Sequence, residues 1–207
     1  MRRQVAPPSA LSHLSDWYPE LLPVPDARSV SRATGPSFVL RPWREADAKA
    51  LADAWSDPAI RQWTVVPEVA DLAAAQRWIA GWEERRRLRL SLDLVAADPE
   101  DDRVLGEVGL TSFQGERRTA RIGWWTAREE RGQGVAAAVV SALTDWAHDG
   151  PLGLRVVIAE IGHGNQASIA VARRAGYRPL GPIGDSPTSL TLVSEVEGQS
   201  HGDDARV

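Results

Sequence analysis

IGWWTAREERGQGVAAAVVSAL, residues 122–143, reads as a strand that leaves Trp125, a short polar link, and a glycine-bearing turn opening a long apolar helix. Gly132 and Gly134 have no Cβ, so a ligand can approach the backbone there. The first helical turn leaves its amides unpaired, and the positive end of the helix dipole adds to them. Together they form an anion site that suits a phosphate or pyrophosphate. Arg131 and Arg128 stand where they could add charge-assisted hydrogen bonds. A plain glycine-containing helix cap would carry the same letters. Gly132-x-Gly134-x-x-Ala137 also fits a dinucleotide-binding fingerprint loosely, but no βαβ unit opens the chain and no strand-end acid follows at the right distance. A Walker-type phosphate loop is excluded because Gly-Lys-Ser/Thr is missing.

Upstream of this stretch, FVLRP reads as a short strand, and a helix follows from Glu45 to about Trp55, with Ala48, Leu51, Ala52 and Trp55 at helical spacing. Asp57-Pro58 reads as its breaker, leaving DPAIRQWTVVP as a loop that carries Trp63. A second helix is expected over Asp71 to Arg87, with Leu72, Ala75, Trp78, Ile79 and Trp82 on its apolar face. Leu88, Leu90, Leu92 and Leu94 alternate with polar neighbours, the period of a half-buried strand. VLGEVGLTSF and TARIGWWTA, separated by the turn-like QGERR, complete an antiparallel meander.

Downstream, the apolar helix runs from Val135 to about Trp146 and stops at His148-Asp149-Gly150-Pro151. A strand, LRVVIAEI, the polar loop GHGNQ, a helix over Ala167 to Ala175, and strands near Tyr177 and at SLTLV follow. This order predicts an α+β fold on one central sheet. Residues 1–36, rich in proline, read as an N-terminal extension, and residues 37–193 as the folded domain. Residues 194–207 carry four acids against one arginine and read as a flexible acidic tail.

Composition narrows the function. The 207 residues carry 24 basic and 28 acidic side chains, for a net charge of −4, and 43% are hydrophobic, the balance of a globular protein with a sizeable core. The chain has no cysteine, which excludes disulfides, thiolate metal sites and a cysteine nucleophile. No histidine cluster suggests a metal. No window approaches the about 20 apolar residues of a membrane span, and residues 1–14 lack a signal-peptide core. A cytoplasmic protein without membrane partners is therefore expected. Beyond Arg85 to Arg89 there is no basic stripe with interleaved aromatics, so nucleic acid is not an expected partner. Nine tryptophans stand beside two tyrosines and two phenylalanines. Trp78 and Trp82 read as core, whereas Trp63 could equally wall a binding site.

Arg131-x-x-Gly134-x-Ala136 matches the R/Q-x-x-G-x-G/A signature of a known superfamily. Asn165-Gln166-Ala167-Ser168 followed by Arg174-Ala175-Gly176-Tyr177 matches the ending of one of its branches. With LRPWREAD near the start and IGWW before the glycines, the chain resembles the GNAT superfamily of acetyl-CoA-dependent N-acetyltransferases, of the RimJ/RimL type, over residues 38 to about 180. The resemblance implies a mostly antiparallel mixed sheet of about six to seven strands flanked by about four helices, splayed between the strand before the glycine loop and the next one.

By the same resemblance, the backbone around Trp124, Trp125, Thr126 and Ala127 would hold the pantetheine arm of acetyl-CoA. Arg131, Gly132, Gln133, Gly134, Val135 and Ala136 would hold the pyrophosphate. Asn165 would hold the arm near the thioester, with Ser168 close to the sulfur. The implied reaction is direct attack by a primary amine, on a peptide N terminus or a small molecule, in a ternary complex. The leaving thiolate needs only modest help, since a free thiol has a pKa of about 8.5. Ser168 or a water could provide it; the position where relatives carry an acidic tyrosine is Ala172, which leaves that role vacant, and Tyr177 reads as packing. Candidate bases are Glu107 and Glu160, with His163 behind them; Arg121 stands where relatives commonly have an acid. A module that binds CoA without turnover is the alternative, and a homodimer is left open.

Overall fold

The structure is a computed structural model and describes residues 19, 21–26, 35–180 and 188–196. Seven strands form one sheet: β1 (Val39–Arg41), β2 (Ser91–Ala97), β3 (Val104–Gln114), β4 (Thr119–Thr126), β5 (Val156–Gly162), β6 (Arg178–Pro179) and β7 (Ser189–Glu195). Their order across the sheet is β1-β2-β3-β4-β5-β7-β6, and every pairing is antiparallel except β4 with β5. That parallel ladder joins only Thr119, Ala120 and Arg121 to Val156, Val157 and Ile158. Beyond Arg121 the two strands part, and the sheet opens in its middle, as the family resemblance implies.

Among the described residues six α-helices accompany the sheet: α1 (Ala48–Ser56), α2 (Pro58–Trp63), α3 (Leu72–Ala80), α4 (Trp82–Arg87), α5 (Val135–Asp149) and α6 (Gln166–Arg174). The sequence reading has four, and two corrections account for the difference. Asp57-Pro58 does not begin a loop. Asp57 caps α2, its side chain accepting from the Ala59 amide at 2.8 Å, and Pro58 takes the first helical position, where a missing N–H costs nothing. Trp63 is thus the last residue of a helix. The helix expected over Asp71 to Arg87 is split at Gly81, whose backbone (φ −80°, ψ 0°) turns the chain between α3 and α4.

A third correction concerns the run of leucines. Arg89 adopts φ 56°, so the chain turns there, and Leu90 is 57% exposed. The strand starts only at Ser91, and all seven of its residues are buried where a half-buried strand is expected. The cause is position: β2 lies inside the sheet between β1 and β3, with α4 packed against it.

The core is continuous, with Leu92, Leu94, Val108, Leu110, Leu143 and Leu192 all fully buried. Leu22, from the segment read as an extension, also lies in it at 0% exposure, and the Leu22 carbonyl accepts from Arg86 Nη1 at 2.7 Å. β7 runs on through Glu195. Among the described residues no helix is long and apolar enough to cross a membrane.

Candidate active site

β4 ends at Thr126, a single 3-10 turn (Arg128–Glu130) follows, and the chain then passes through Gly132 at φ +79° and Gly134 at φ +83°. A side chain is strained in that left-handed region, which explains glycine at both positions. A Cβ at either one would meet nothing within 4 Å, so the turn faces open space. Gly134 caps the 15-residue α5 without a side-chain partner, and the first bond within the helix is Ala138 N–H to Gly134 carbonyl, 3.1 Å. The amides of Val135, Ala136 and Ala137 therefore point out of the helix end, as the anion site requires.

These groups border a cleft of about 390 Å3 at the opening between β4 and β5. Of the residues read from the sequence as binding, Trp125, Thr126, Arg131, Gly132, Gly134, Val135 and Ala136 line it from one side. Asn165 and Ser168 line it from α6. Gln133 does not: its amide turns back to donate to the Glu129 carbonyl at 2.9 Å. Ala127 borders a neighbouring hollow beside Asp57 and Arg128. Asn165 caps α6, its side-chain oxygen accepting from Ser168 N–H at 3.0 Å, so the NH2 half is left for a ligand.

Arg128 and Arg131 are already committed. Arg128 Nε and Arg131 Nη2 both donate to Asp57 Oδ2, at 3.2 and 2.9 Å, and Arg131 Nε also reaches the Thr126 carbonyl at 3.2 Å. Burial alone would raise the Asp57 pKa, but the Ala59 amide and the two guanidiniums outweigh it and hold the carboxyl below its usual range. Asp57 thus ties the glycine turn to the start of α2. Arg174 adds a further positive charge to the cleft.

A second cavity, of about 610 Å3, adjoins the cleft. Gly109 and Gly123, directly paired across β3 and β4, leave its floor bare, and a Cβ on Gly123 would project into open space. Asp93 and Glu107 lie on one side of this floor, with Arg121 and Glu160 on the other. Trp55, Trp63, Trp78, Trp124 and Trp125 supply five indoles to the lining. Trp78 is therefore not simply core, although it packs edge-on against Trp43 and Trp55 at 5.7 and 6.2 Å. Trp82 is core as expected, its indole N–H donating to the Asp93 carbonyl at 2.6 Å.

The two glutamates differ sharply. Glu160, on β5, is paired with Arg121 at 2.9 Å, with side chains 40% and 51% exposed. Glu107 sits on β3 opposite Trp125, two residues along the strand from the partner of Asp93. Burial, reinforced by the Asp93 carboxylate, pushes Glu107 up to about 8. Arg85 and the Trp125 and Trp43 indoles pull the other way. Asp93 is itself held by the Ser91 hydroxyl at 2.6 Å and Arg85 Nε at 3.3 Å.

His163 lines neither cavity. Ala172 is fully buried in α6. Thr144 Oγ1 spends its proton on the Val140 carbonyl, so the Tyr177 hydroxyl, 2.6 Å away, donates to it; burial pushes that phenol far above its ordinary range. Tyr177 is a packing residue. Asp57, Asp93 and Arg174 escape sequence reading because their roles depend on partners distant in the chain, although Asp57-Pro58 is a recognisable cap followed by a first-turn proline.

A sheet opened at its centre, with a helix N terminus at the opening and a second cavity adjoining it, is the build of a two-substrate group-transfer enzyme. The profile of the Acetyltransferase (GNAT) domain matches residues 37–178, and the chain belongs to that family. The L-methionine sulfoximine/L-methionine sulfone acetyltransferase of Pseudomonas aeruginosa is 32% identical over 124 residues, 58% of this chain and 67% of that protein. Among solved structures, Mycobacterium smegmatis RimJ in complex with CoA-disulfide superposes with a TM-score of 0.64 at 21% identity, over 82% of this chain and 84% of the other. The microcin C7 self-immunity acetyltransferase MccE in complex with acetyl-CoA and AMP gives 0.67 at 16% identity, over 82% and 99%.

Proposed function

We propose that the protein moves the acetyl group of acetyl-CoA to a primary amine, on a peptide N terminus or a small molecule, by direct attack in a ternary complex. The observation that carries this reading is that the cleft and the acidic cavity share Trp63, Thr64, Trp124 and Trp125 as lining, so a donor in one meets an acceptor in the other. Residues 37–195, with Leu22 of the extension packed into their core, would be the working unit.

The cleft suits CoA on its own terms. The Gly132–Gly134 backbone and the amides of Val135 to Ala137 would hold the pyrophosphate, with Arg174 contributing charge. The unpaired edge of β4 beyond Arg121 would hold the amide-bearing arm, and Asn165 Nδ2 would donate to it. Bound acetyl-CoA supplies a thioester carbonyl and a thiol leaving group. Ser168 Oγ, bordering the cleft, would pass its proton to the departing sulfur and regain one from the second N–H that the attacking nitrogen loses, so that CoA leaves as the thiol. Glu107 would take the proton of the incoming ammonium. A carboxyl near 8 is a better match to an alkylammonium than an ordinary one, because general bases work best when their pKa approaches that of the proton they remove and the operating pH. Glu160, ion-paired and open to solvent, is the poorer base.

Two measurements test this reading. Calorimetry of the full chain with acetyl-CoA should give saturable one-site binding, and an amine panel spanning peptides, amino acids and aminoglycosides should release free CoA thiol. Lack of binding refutes the donor assignment, and binding without thiol release on any amine refutes the enzyme.

A further inference from the structure

We infer that Trp63 sets the length of the acyl group that the protein accepts, closing the junction of its two cavities to chains longer than acetyl. The inference rests on the acetyl-CoA reading above and goes beyond it, to a residue and a donor class. A transferable acyl group must lie where both cavities can reach it, and among the described residues only Trp63, Thr64, Trp124 and Trp125 line both. Trp124 and Trp125 belong to β4, on one bank of the opening. Trp63 comes from the other direction, at the end of α2, and stays 42% exposed although its ring is seated against backbone.

That seat is made of glycines. A Cβ on Gly162, the last residue of β5, would lie 2.8 Å from Trp63 Cζ3, and one on Gly164 would lie 3.2 Å from Cη2. Neither glycine is in the positive-φ region, so the backbone conformation does not demand glycine there. The large ring occupying the space does. Trp63 therefore lies across the far bank of the opening, on β5 and the start of the α6 loop, with its free side toward the junction.

The other end of α2 is fixed as well. Asp57 caps the helix and binds Arg128 and Arg131 of the glycine turn, so six residues connect the pyrophosphate end of the cleft to the ring at its reactive end. A ring anchored at both ends of a short helix is a rigid stop. An acetyl methyl needs little room beside it, whereas each added methylene must displace indole or leave the junction.

The test measures binding of CoA, acetyl-CoA, butyryl-CoA and hexanoyl-CoA by calorimetry, which needs no knowledge of the acceptor. Wild type should prefer acetyl-CoA over butyryl-CoA, and Trp63→Ala should raise the butyryl-to-acetyl affinity ratio about tenfold, the scale on which apolar pockets discriminate methylenes. Trp63→Phe should fall between them. Each acyl-CoA affinity should be read relative to that of CoA for the same variant, so that any contact the ring makes with CoA itself cancels in the ratio. Gly162→Ala should act in the opposite sense, driving the ring into the junction and weakening acetyl-CoA and butyryl-CoA. The double variant Gly162→Ala/Trp63→Ala should behave as Trp63→Ala, because the added methyl then has nothing to push. An unchanged ratio in Trp63→Ala that still binds CoA overturns the role of Trp63 and spares the acetyl-CoA reading. Wild type that binds neither CoA nor acetyl-CoA overturns both.

Discussion

The cleft and the cavity beside it are built on opposite plans. The cleft rests chiefly on backbone: two glycines in left-handed geometry, three helix-end amides and a strand edge come from one continuous run from Trp124 to Ala137, and α6 with its cap adds Asn165, Ser168 and Arg174. The cavity is made of side chains drawn from β2, β3, β4, β5, α1, α2 and α3, whose chemistry exists only once the sheet has formed. Backbone recognition suits a ligand part that never varies, and side-chain recognition suits one that differs between relatives. Damage should therefore differ in kind between the two regions. Changes in the cleft should abolish binding of the donor, and changes in the cavity should spare binding while affecting turnover.

Glu107→Gln offers the largest effect and the sharpest contrast. Removing a general base costs on the order of 10²–10⁴-fold in kcat, and acetyl-CoA affinity should stay at the wild-type value. The wild-type rate should rise with pH through about 8 as Glu107 loses its proton, and the variant should lack that limb. Stability should respond in the other direction. Between the ordinary carboxyl value of 4.5 and about 8, the folded protein retains a proton that the unfolded chain has released, so stability declines as pH rises across that window. The glutamine variant should have a flatter dependence of Tm on pH. A normal rate in Glu107→Gln would remove it as the base and return attention to the far rim of the cavity.

Gly134→Val addresses the other region. A β-branched side chain at φ +83° strains the turn and misaims the amides of Val135 to Ala137. Acetyl-CoA affinity should fall about a hundredfold, equivalent to about 2.7 kcal/mol, in calorimetry. Because, among the described residues and apart from its own chain neighbours, nothing lies within 4 Å of the new Cβ position, the fold should persist by circular dichroism.

Asp57 stands between the two regions and should give an intermediate result. Asp57→Ala removes the α2 cap and leaves Arg128 and Arg131 without their carboxylate, a loss of about 1–2 kcal/mol from the cap alone. Asp57→Asn keeps a capping oxygen but not the charge, and should recover most of the Tm. Since the Asp57 pKa lies below its usual 3.8, the stabilisation by its charge is complete above that value. It should disappear as pH falls through the depressed one. Equal losses in the two variants would show that the charge, not the cap, dominates.

The same division decides what can be read from the sequence. The glycine turn is local, so spacing alone places Gly132, Gly134 and the helix end, and the opening between β4 and β5 follows from the family resemblance. Gln133 lies inside the motif yet faces away, because its nearest acceptor is the Glu129 carbonyl, a detail of rotamer that letters do not carry. Glu107 reads from the sequence more readily as an exposed strand residue than as a base. What distinguishes it is Asp93 on the neighbouring strand and the indoles beside it, and the pairing of β2 with β3 is a long-range fact. Local rules fail differently at α2 and at the leucine run. Asp57-Pro58 ends one helix and begins another with the same two residues, whereas alternation at Leu88 and Leu90 reflects a turn through Arg89 before the strand.

Glu160→Gln should have the smallest effect, and it tests whether the two glutamates of the cavity are as unlike as their surroundings. The Arg121–Glu160 pair is open to solvent on both sides, and such pairs are worth about 0–1 kcal/mol. Losing it should shift Tm little and leave kcat within about twofold of wild type, since no proton passes through Glu160 in the proposed mechanism. Arg121 would be released toward the cavity, so any change should appear in the KM of acceptors bearing a carboxylate, compared with their amides. A thousandfold fall in kcat for Glu160→Gln with a normal Glu107→Gln would reverse the assignment. The amine would then approach from the β5 side, where Arg121 pairs with Glu160.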